Sequence, residues 1–380
     1  MFYSLYDFEL FSNFTFFLED PINGDQIRQY EDRRIFGMES SWNKSSYLGA
    51  VSTEYQIGLG LRNDVINDNQ LSRTKNRTET LSRIQYGDVN ENNIYTFANA
   101  EIDFGKWLLQ PGMRLDFFKF NYIDNLSVVY EKLSETAVAV SPKFNINYNL
   151  NNNVQLFAKS GIGFHSNDSR VVLNQQGRSA LPLAYGLDLG AVVKPTKRMF
   201  VNVALWYLFL EQEFVYVGDE GIVEPSGRSR RMGIDLGVRC QLNNWLFVNG
   251  DVNYAKPRSI DNPEGERLIP LAPTMTATAG LSIQRKKLSI NLQTRYLADR
   301  TANENNSIEA KGYIITNLNT TYRFGAVNLG ISIENLFDQQ WNETQFATES
   351  RLAFETSSTE EIHFTPGTPL FAKGIVKYNF

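Results

Sequence analysis

The sequence predicts an all-β protein: a transmembrane, antiparallel, up-and-down β-barrel with about sixteen strands in this chain. Three observations predict it. Apolar and polar residues alternate with a period of two along nearly the whole chain. Short turns rich in Gly and Asn alternate with long polar loops. The chain also ends on an amphipathic strand closed by Phe380. Successive side chains of a strand point to opposite faces, so each alternating run has one apolar and one polar face. The polar residues are largely Asn, Gln, Asp, Ser and Gly, which suits a wet interior better than a solvent-facing sheet of Lys, Glu and Thr.

The elements follow in order. Met1-Phe2-Tyr3-Ser4-Leu5-Tyr6-Asp7 already reads as strand and lacks the basic start of an export signal. Glu54-Tyr55-Gln56-Ile57 and Glu101-Ile102-Asp103-Phe104 alternate. Lys143-Phe144-Asn145-Ile146-Asn147-Tyr148-Asn149-Leu150 puts Lys and Asn on one face, and Phe, Ile, Tyr and Leu on the other. The same pattern returns in Ile234-Asp235-Leu236-Gly237-Val238-Arg239, Leu288-Ser289-Ile290-Asn291-Leu292-Gln293 and Val327-Asn328-Leu329-Gly330-Ile331-Ser332-Ile333-Glu334. In the last strand Phe380, Tyr378, Val376 and Ala372 share a face opposite Asn379, Lys377 and Lys373, with Ile375 the exception.

Short turns are predicted at 43–46, 105–106, 151–153, 195–197, 243–244, 285–286 and 325–326, where Gly and Asn tolerate the positive φ of tight hairpins. Long connections are predicted at 63–91, 124–134, 166–180, 218–228, 256–267, 299–310 and 340–366, with 68–93 a mobile outer loop. Each short turn is followed by a long loop. Outer-membrane barrels sort their connections this way, with short turns on the periplasmic side. Trp42, Trp107, Trp245, Tyr322, Tyr378 and Phe380, joined by Tyr148 and Phe324, flank the short turns as a candidate aromatic girdle; cross-strand aromatic packing is the competing account.

Composition excludes several classes. No run approaches the ~18 apolar residues of a spanning helix, yet 42% hydrophobic and 13% aromatic content is too high for disorder. A formal charge of −5 without a basic stripe argues against nucleic acid. Cys240, the single cysteine, forms no intrachain disulfide and lies on an apolar face. No phosphate loop, dinucleotide fingerprint or zinc spacing is present, so no cofactor and no metal are expected. Asp64, Asn67, Asp68 and Asn69 lack the Gly and bidentate Glu of a calcium loop. His165 beside Ser166 and Asn167 makes a poor triad, because neighbours on a strand diverge, and no enzyme is expected. His165, Asn167, Asp168 and Arg170 are candidates either for shaping a loop lip or for ligand contact. His363 is read as a solvated loop residue.

Glu54, Glu101, Asp103, Arg114, Asp116, Asp235, Arg239, Arg295, Arg323 and Glu334 fall on polar faces, with Lys143, Asp251, Lys373 and Lys377 beside them. They form a mixed-sign lining that suits a filled lumen, although any wide barrel interior must be polar.

Three elements of the C-terminal third carry a resemblance: Tyr296-Leu297-Ala298-Asp299-Arg300 followed by Gly312-Tyr313, then Glu334-Asn335-Leu336-Phe337-Asp338, then the strand ending in Phe380. Gly163-Phe164-His165-Ser166-Asn167-Asp168-Ser169-Arg170 adds to it. With these the chain resembles the β-barrel of TonB-dependent outer-membrane receptors. The resemblance implies a 22-stranded barrel, an N-terminal plug and a coupling box that meets the inner-membrane TonB complex. It also implies an extracellular small-molecule ligand, outer-membrane lipid around the wall and assembly machinery that reads the C-terminal strand. Plug and box are absent from this chain, which is therefore expected to be the C-terminal part of a longer one, barrel throughout residues 1–380. The function implied is energy-dependent uptake of a large scarce solute at the cell outer membrane, an iron–siderophore complex first; a passive porin of about sixteen strands is the alternative.

Overall fold

The computed structural model describes residues 1–166, 179–212, 214–217, 222–225 and 227–380. Its strands are β1 (Phe2–Ser12), β2 (Ile27–Leu48), β3 (Val51–Lys75), β4 (Glu79–Asp103), β5 (Trp107–Asp124), β6 (Lys132–Asn151), β7 (Val154–Phe164), β8 (Leu183–Thr196), β9 (Met199–Leu210), β10 (Phe214–Val217) and β11 (Ile222–Pro225). They continue as β12 (Ser229–Gln241), β13 (Leu246–Ser259), β14 (Met275–Arg285), β15 (Leu288–Leu297), β16 (Arg300–Thr301), β17 (Glu309–Ala310), β18 (Tyr313–Phe324), β19 (Val327–Glu334), β20 (Asn342–Ser350), β21 (Thr359–Pro366) and β22 (Phe371–Tyr378). Sixteen of them form one antiparallel sheet in which each strand pairs with its neighbour in sequence, once the three two-stranded ribbons β10–β11, β16–β17 and β20–β21 are set aside.

Register sorts the two faces. Ile57 pairs with Ala98 and Trp42, Leu236 with Val252 and Val203, Ile290 with Ile283, and Val376 with Leu329. Much of this face stands open: Ile57 is 53% exposed, Leu205 58% and Val376 75%. An apolar surface this large and continuous is not tolerated in water and marks a lipid-facing wall. Tyr185, Phe209, Tyr254 and Tyr296 cap it at the long-loop end. The eight steps from Leu246 to Tyr254 span about 26 Å along the strand at ~3.3 Å per residue, which a tilt of about 40° shortens to about 20 Å across the membrane, most of the apolar band of ~25 Å typical of such barrels.

Most short turns sit where alternation places them, and the first does not. β2 continues through 43–46 and turns at Gly49–Ala50, so Trp42 pairs with Ile57 well inside the apolar band and Tyr47 is the aromatic nearer the turn. The loop predicted at 63–91 is also corrected. β3 and β4 stay paired as far as Lys75 and Glu79, and Asn76, Arg77 and Thr78 make the turn, with φ of 54° and 60° at the first two. Register shifts at Ile66/Asn69, Leu71/Ser72 and Arg73/Thr74 explain the misreading, because each bulge changes which parity faces inward and hides the period of two. The connection predicted at 256–267 starts later, since β13 runs to Ser259.

The tall β2–β6 wall carries small dry clusters above the membrane band. Phe118 and the fully buried Phe120 pack with Ala139, Ala180 and Leu181, while Ile66, Val89 and Tyr122 form a second group. The segment 13–26, between β1 and β2, folds against this wall and against the last ribbon. Asp25 accepts hydrogen bonds from Thr15 Oγ1 (2.9 Å) and the amides of Glu19 (3.1 Å) and Asp20 (2.8 Å). Arg73 pairs with Glu19, and Lys75 Nζ reaches Asn23 at 2.9 Å. Phe17 N donates to Arg351 O at 2.9 Å, across most of the chain length. His363 is corrected here as well. It is not solvated: its ring lies 5.5 Å from that of Phe16 and 5.8 Å from that of Phe346, and its Nε2 is 3.2 Å from Ser350 Oγ.

Candidate functional site

The polar face is the candidate site, and it is best described from the short-turn end upward. Near the turns Glu54 stands directly across from Glu101, a like-charge pair that costs stability unless shared out. Gln110 Nε2 donates to Glu101 Oε2 at 2.8 Å and takes part of that load. Asp103 caps its own turn by accepting from the Gly105 amide at 2.6 Å. Arg323 faces Asn328, whereas Glu334 lies at the far, long-loop end of β19, where it faces Phe371.

Halfway up, β3–β5 carry a tied network. Arg114 makes a bidentate pair with Asp116 (2.8 and 2.7 Å), whose carboxylate is fully buried and also accepts from Asn93 Nδ2 at 3.0 Å. Arg62 and Asp64 repeat the fork at 2.6 and 2.8 Å. The Arg114 guanidinium lies 3.6 Å from the centre of the Tyr95 ring, and Tyr95 Oη donates to Glu39 at 2.7 Å. Across the sheet Trp206 Nε1 donates to Asp235 at 3.0 Å, Asn253 donates to the same oxygen, and Arg239 binds both oxygens of Asp251 at 2.9 Å.

Sequence reading missed one feature here. Large rings also stand on the polar face, each laid over a cross-strand glycine: Tyr95 over Gly60, Phe97 over Gly58, Phe157 over Gly190 and Trp206 over Gly233. A strand glycine leaves a recess that a neighbouring ring can fill. Pairing register, which alternation alone does not supply, was the signal needed.

At the long-loop end Arg295 lies over two rings, 5.5 Å from the centre of Tyr313 and 4.9 Å from that of Trp341, and those rings are 4.7 Å apart. Trp341 Nε1 is held by Thr368 O at 3.0 Å. Arg300 is half-buried beside Tyr313; its Nη1 is buried without a hydrogen-bond partner, and burial pushes its guanidinium below the ordinary arginine range. Neither arginine forms an ion pair among the described residues. The arrangement is a cationic, aromatic-backed cluster, whose chemistry suits an anionic solute. Of the loop candidates, His165 follows β7, and its amide donates to Pro182 O at 3.1 Å. Asn167, Asp168 and Arg170 lie outside the described residues.

The motif Asn335-Leu336-Phe337-Asp338 is a structural tie. Asn335 is buried with φ of 48°, and its Nδ2 donates to Gln339 O (2.8 Å) and Thr368 O (3.1 Å). Its Oδ1 accepts from Gln339 N at 2.9 Å, and its own amide donates to Asn317 Oδ1 at 3.0 Å. Asp338 accepts from Leu370 N at 3.0 Å, which completes the junction leading into β22.

With this geometry in hand, the chain can be set against known proteins. The family described as TonB dependent receptor-like, beta-barrel matches residues 2–336. The chain belongs to the TonB-dependent receptor β-barrel family. Members of this family are outer-membrane proteins that bind extracellular ligands and interact with TonB. The chain is similar in structure to the unliganded ferric citrate transporter FecA (TM-score 0.76, 16% identity, 99% of this chain and 57% of that one). It is also similar to the closed form of the ferric-catecholate import receptor Fiu from E. coli K12 (0.72, 14%, 98% and 59%) and to the copper transporter OprC (0.69, 16%, 100% and 62%). The chain thus spans about three fifths of the length of these solved structures. Identities this low speak for the fold alone. The TonB-dependent receptor barrel confirms the all-β transmembrane architecture, and the passive-channel alternative finds no support in the match.

One outer clasp of this barrel is expected to respond to pH. Arg228 donates to Asp261 through its Nη2 (2.6 Å), its Nε (3.0 Å) and its amide (2.7 Å), and the side-chain bonds, then the amide bond, hold the Asp261 carboxyl below the usual carboxylate range. A carboxylate whose folded pKa is depressed contributes fully above its unfolded value and loses that contribution as pH falls through the folded one. Protection of the Arg228 and Ile260 amides, taken relative to the unfolded-chain exchange rate at the same pH, is therefore expected to hold at pH 5 and to fall only below about pH 4. Equal protection factors at both pH values would show that the pair does not hold the loop.

Proposed function

We propose that this barrel is the wall of an outer-membrane receptor that captures a large, scarce, anionic solute at its outer mouth and imports it with energy delivered by TonB. The observation that carries the reading is the cluster of Arg295, Arg300, Tyr313 and Trp341 at the long-loop end of the polar face, in which Arg295 lies over both rings and the half-buried Arg300 keeps a buried Nη1 without a hydrogen-bond partner. A ferric siderophore is the first cargo to test, because such chelates are bulky and anionic, and FecA and Fiu, similar in fold, are described as ferric citrate and ferric-catecholate proteins. His165, which follows β7, stands at the same outer end, and His165, Asn167, Asp168 and Arg170 are proposed as further contacts.

Lower on the face, the tied pairs Arg114–Asp116 and Arg239–Asp251, together with Glu54, Glu101, Asp103, Asp235 and Arg323, and Glu334 at the upper end of β19, are proposed to hydrogen-bond a plug that shifts when TonB pulls. Trp107, Trp245, Tyr322, Tyr378 and Phe380 are proposed to sit at the periplasmic headgroup layer, with the closing strand β22 read by the assembly machinery.

The test is uptake of 55Fe from ferric citrate and from a ferric catecholate by iron-starved cells carrying the gene, with and without functional TonB. Uptake that requires both the gene and TonB supports the reading; uptake unaffected by loss of either one overturns it. Arg295→Ala is expected to weaken ligand binding by about tenfold to a hundredfold, the loss of one charge-assisted contact of ~1.5–3 kcal/mol. Titration of ligand into the purified protein checks this, and unchanged affinity would remove Arg295 from the site.

A further inference from the structure

Charge is distributed unevenly between the two ends of this sheet. The short-turn windows 47–52, 103–107, 150–154, 194–199, 241–246, 284–288 and 323–327 contain eight Lys or Arg residues and a single acidic one, Asp103, which is spent on capping its own turn. Six of the eight are gathered in two triplets, Lys194, Lys197 and Arg198 at the β8–β9 turn and Arg285, Lys286 and Lys287 at the β14–β15 turn. All six are exposed, and none pairs with a carboxylate among the described residues. Only the β12–β13 hairpin separates the two turns in sheet order, and the turn of that hairpin is tied to both. Arg198 Nη2 donates to Asn244 Oδ1 at 3.3 Å, and the Arg285 guanidinium lies 5.8 Å from the centre of the Trp245 ring. Hairpins side by side in a sheet are about 10 Å apart, so the six cations occupy one sector of the rim.

Their height matters as much as their number. Leu246, Val248, Leu288 and Ile290 of the apolar face begin immediately above them. Cations at the margin of an apolar band, one of them stacked on a tryptophan, lie in the plane of lipid headgroups. A soluble acidic partner would not require that placement. Short turns face the periplasm in this class of barrel, where the adjoining leaflet is phospholipid.

We infer that the β8–β9 and β14–β15 turns form a docking sector for anionic phospholipid headgroups of the periplasmic leaflet, with phosphatidylglycerol the fitting class. The inference rests on the membrane orientation of the barrel and not on its cargo, so it stands or falls separately from the import reading.

The test uses the purified protein in nanodiscs of phosphatidylcholine containing phosphatidylglycerol. Native mass spectrometry then counts the lipids of each class that stay bound after release. Wild type is expected to retain phosphatidylglycerol preferentially. K194Q/K197Q/R198Q and R285Q/K286Q/K287Q are each expected to lower that preference by at least about fivefold, and 0.5 M salt to erase it. The charge-keeping variant K194R/K197R should retain it, and so should K75Q/R77Q/R83Q at the opposite end. Heat-dependent migration on gels verifies that each variant is a folded barrel. No lipid preference in wild type, unchanged preference in both neutralised triplets, or an equal loss in the opposite-end control would each overturn the proposal.

Discussion

Asn335→Ala is expected to destabilise the barrel by about 2–4 kcal/mol. Three side-chain hydrogen bonds disappear at once, two donated to Gln339 O and Thr368 O and one accepted from Gln339 N, all made by a side chain that is itself buried. Alanine must also hold a left-handed φ of 48°, which Asn tolerates far better. Asn335→Gly separates the two terms, since it relieves the backbone and still loses the bonds. Asn335→Asp keeps the acceptor and loses the donors, so it should fall between wild type and alanine. The urea midpoint of heat-dependent gel migration in detergent measures the series. If alanine and wild type unfold at the same urea concentration, the tie does not hold β19 to the segment that leads into β22.

The second large effect is expected at Gly60. A Cβ at this position would come within 2.2 Å of Tyr95 Cζ, and the ring cannot move without abandoning Glu39 and the Arg114 guanidinium. Gly60→Val is expected to cost about 1–3 kcal/mol, as overpacking usually does, with Gly60→Ala somewhat less. Tyr95→Ala removes the obstacle, so the Gly60→Val/Tyr95→Ala double variant should be more stable than the sum of the two single effects predicts. Strict additivity in urea unfolding would show that ring and glycine do not share the space. Because Arg114 is also clamped to the buried Asp116, the same change should loosen that side of the polar wall.

Several features of this barrel were legible in the residues themselves. Strand alternation separated Leu329, Val376 and Tyr378 from Asn328, Lys373 and Lys377, and the register keeps those groups on opposite faces. Most turns could be located because Gly and Asn are needed where φ turns positive, as at Gly105 and Gly325. Trp42 shows where such reading stops. Asn43-Lys44-Ser45-Ser46 has turn composition, yet it stays extended because β3 offers it a partner at every position, from Gln56 to Thr53. His363 shows the same limit from the opposite side. Its loop-like surroundings gave no hint that Phe16 and Phe346 would enclose it, since the Phe346 contact depends on the register of the β20–β21 ribbon and the Phe16 contact joins segments more than three hundred residues apart.

The sequence by itself determined that this chain makes antiparallel strands with one face for hydrocarbon and one for water, because a period of two is a local property of the extended backbone. Tertiary structure alone decided how tall the β3–β4 hairpin stands, which carboxylate each polar-face arginine grips, which glycine each ring covers and how 13–26 meets the last ribbon. These depend on register and on bulges, and a bulge reverses the parity of everything beyond it without changing composition.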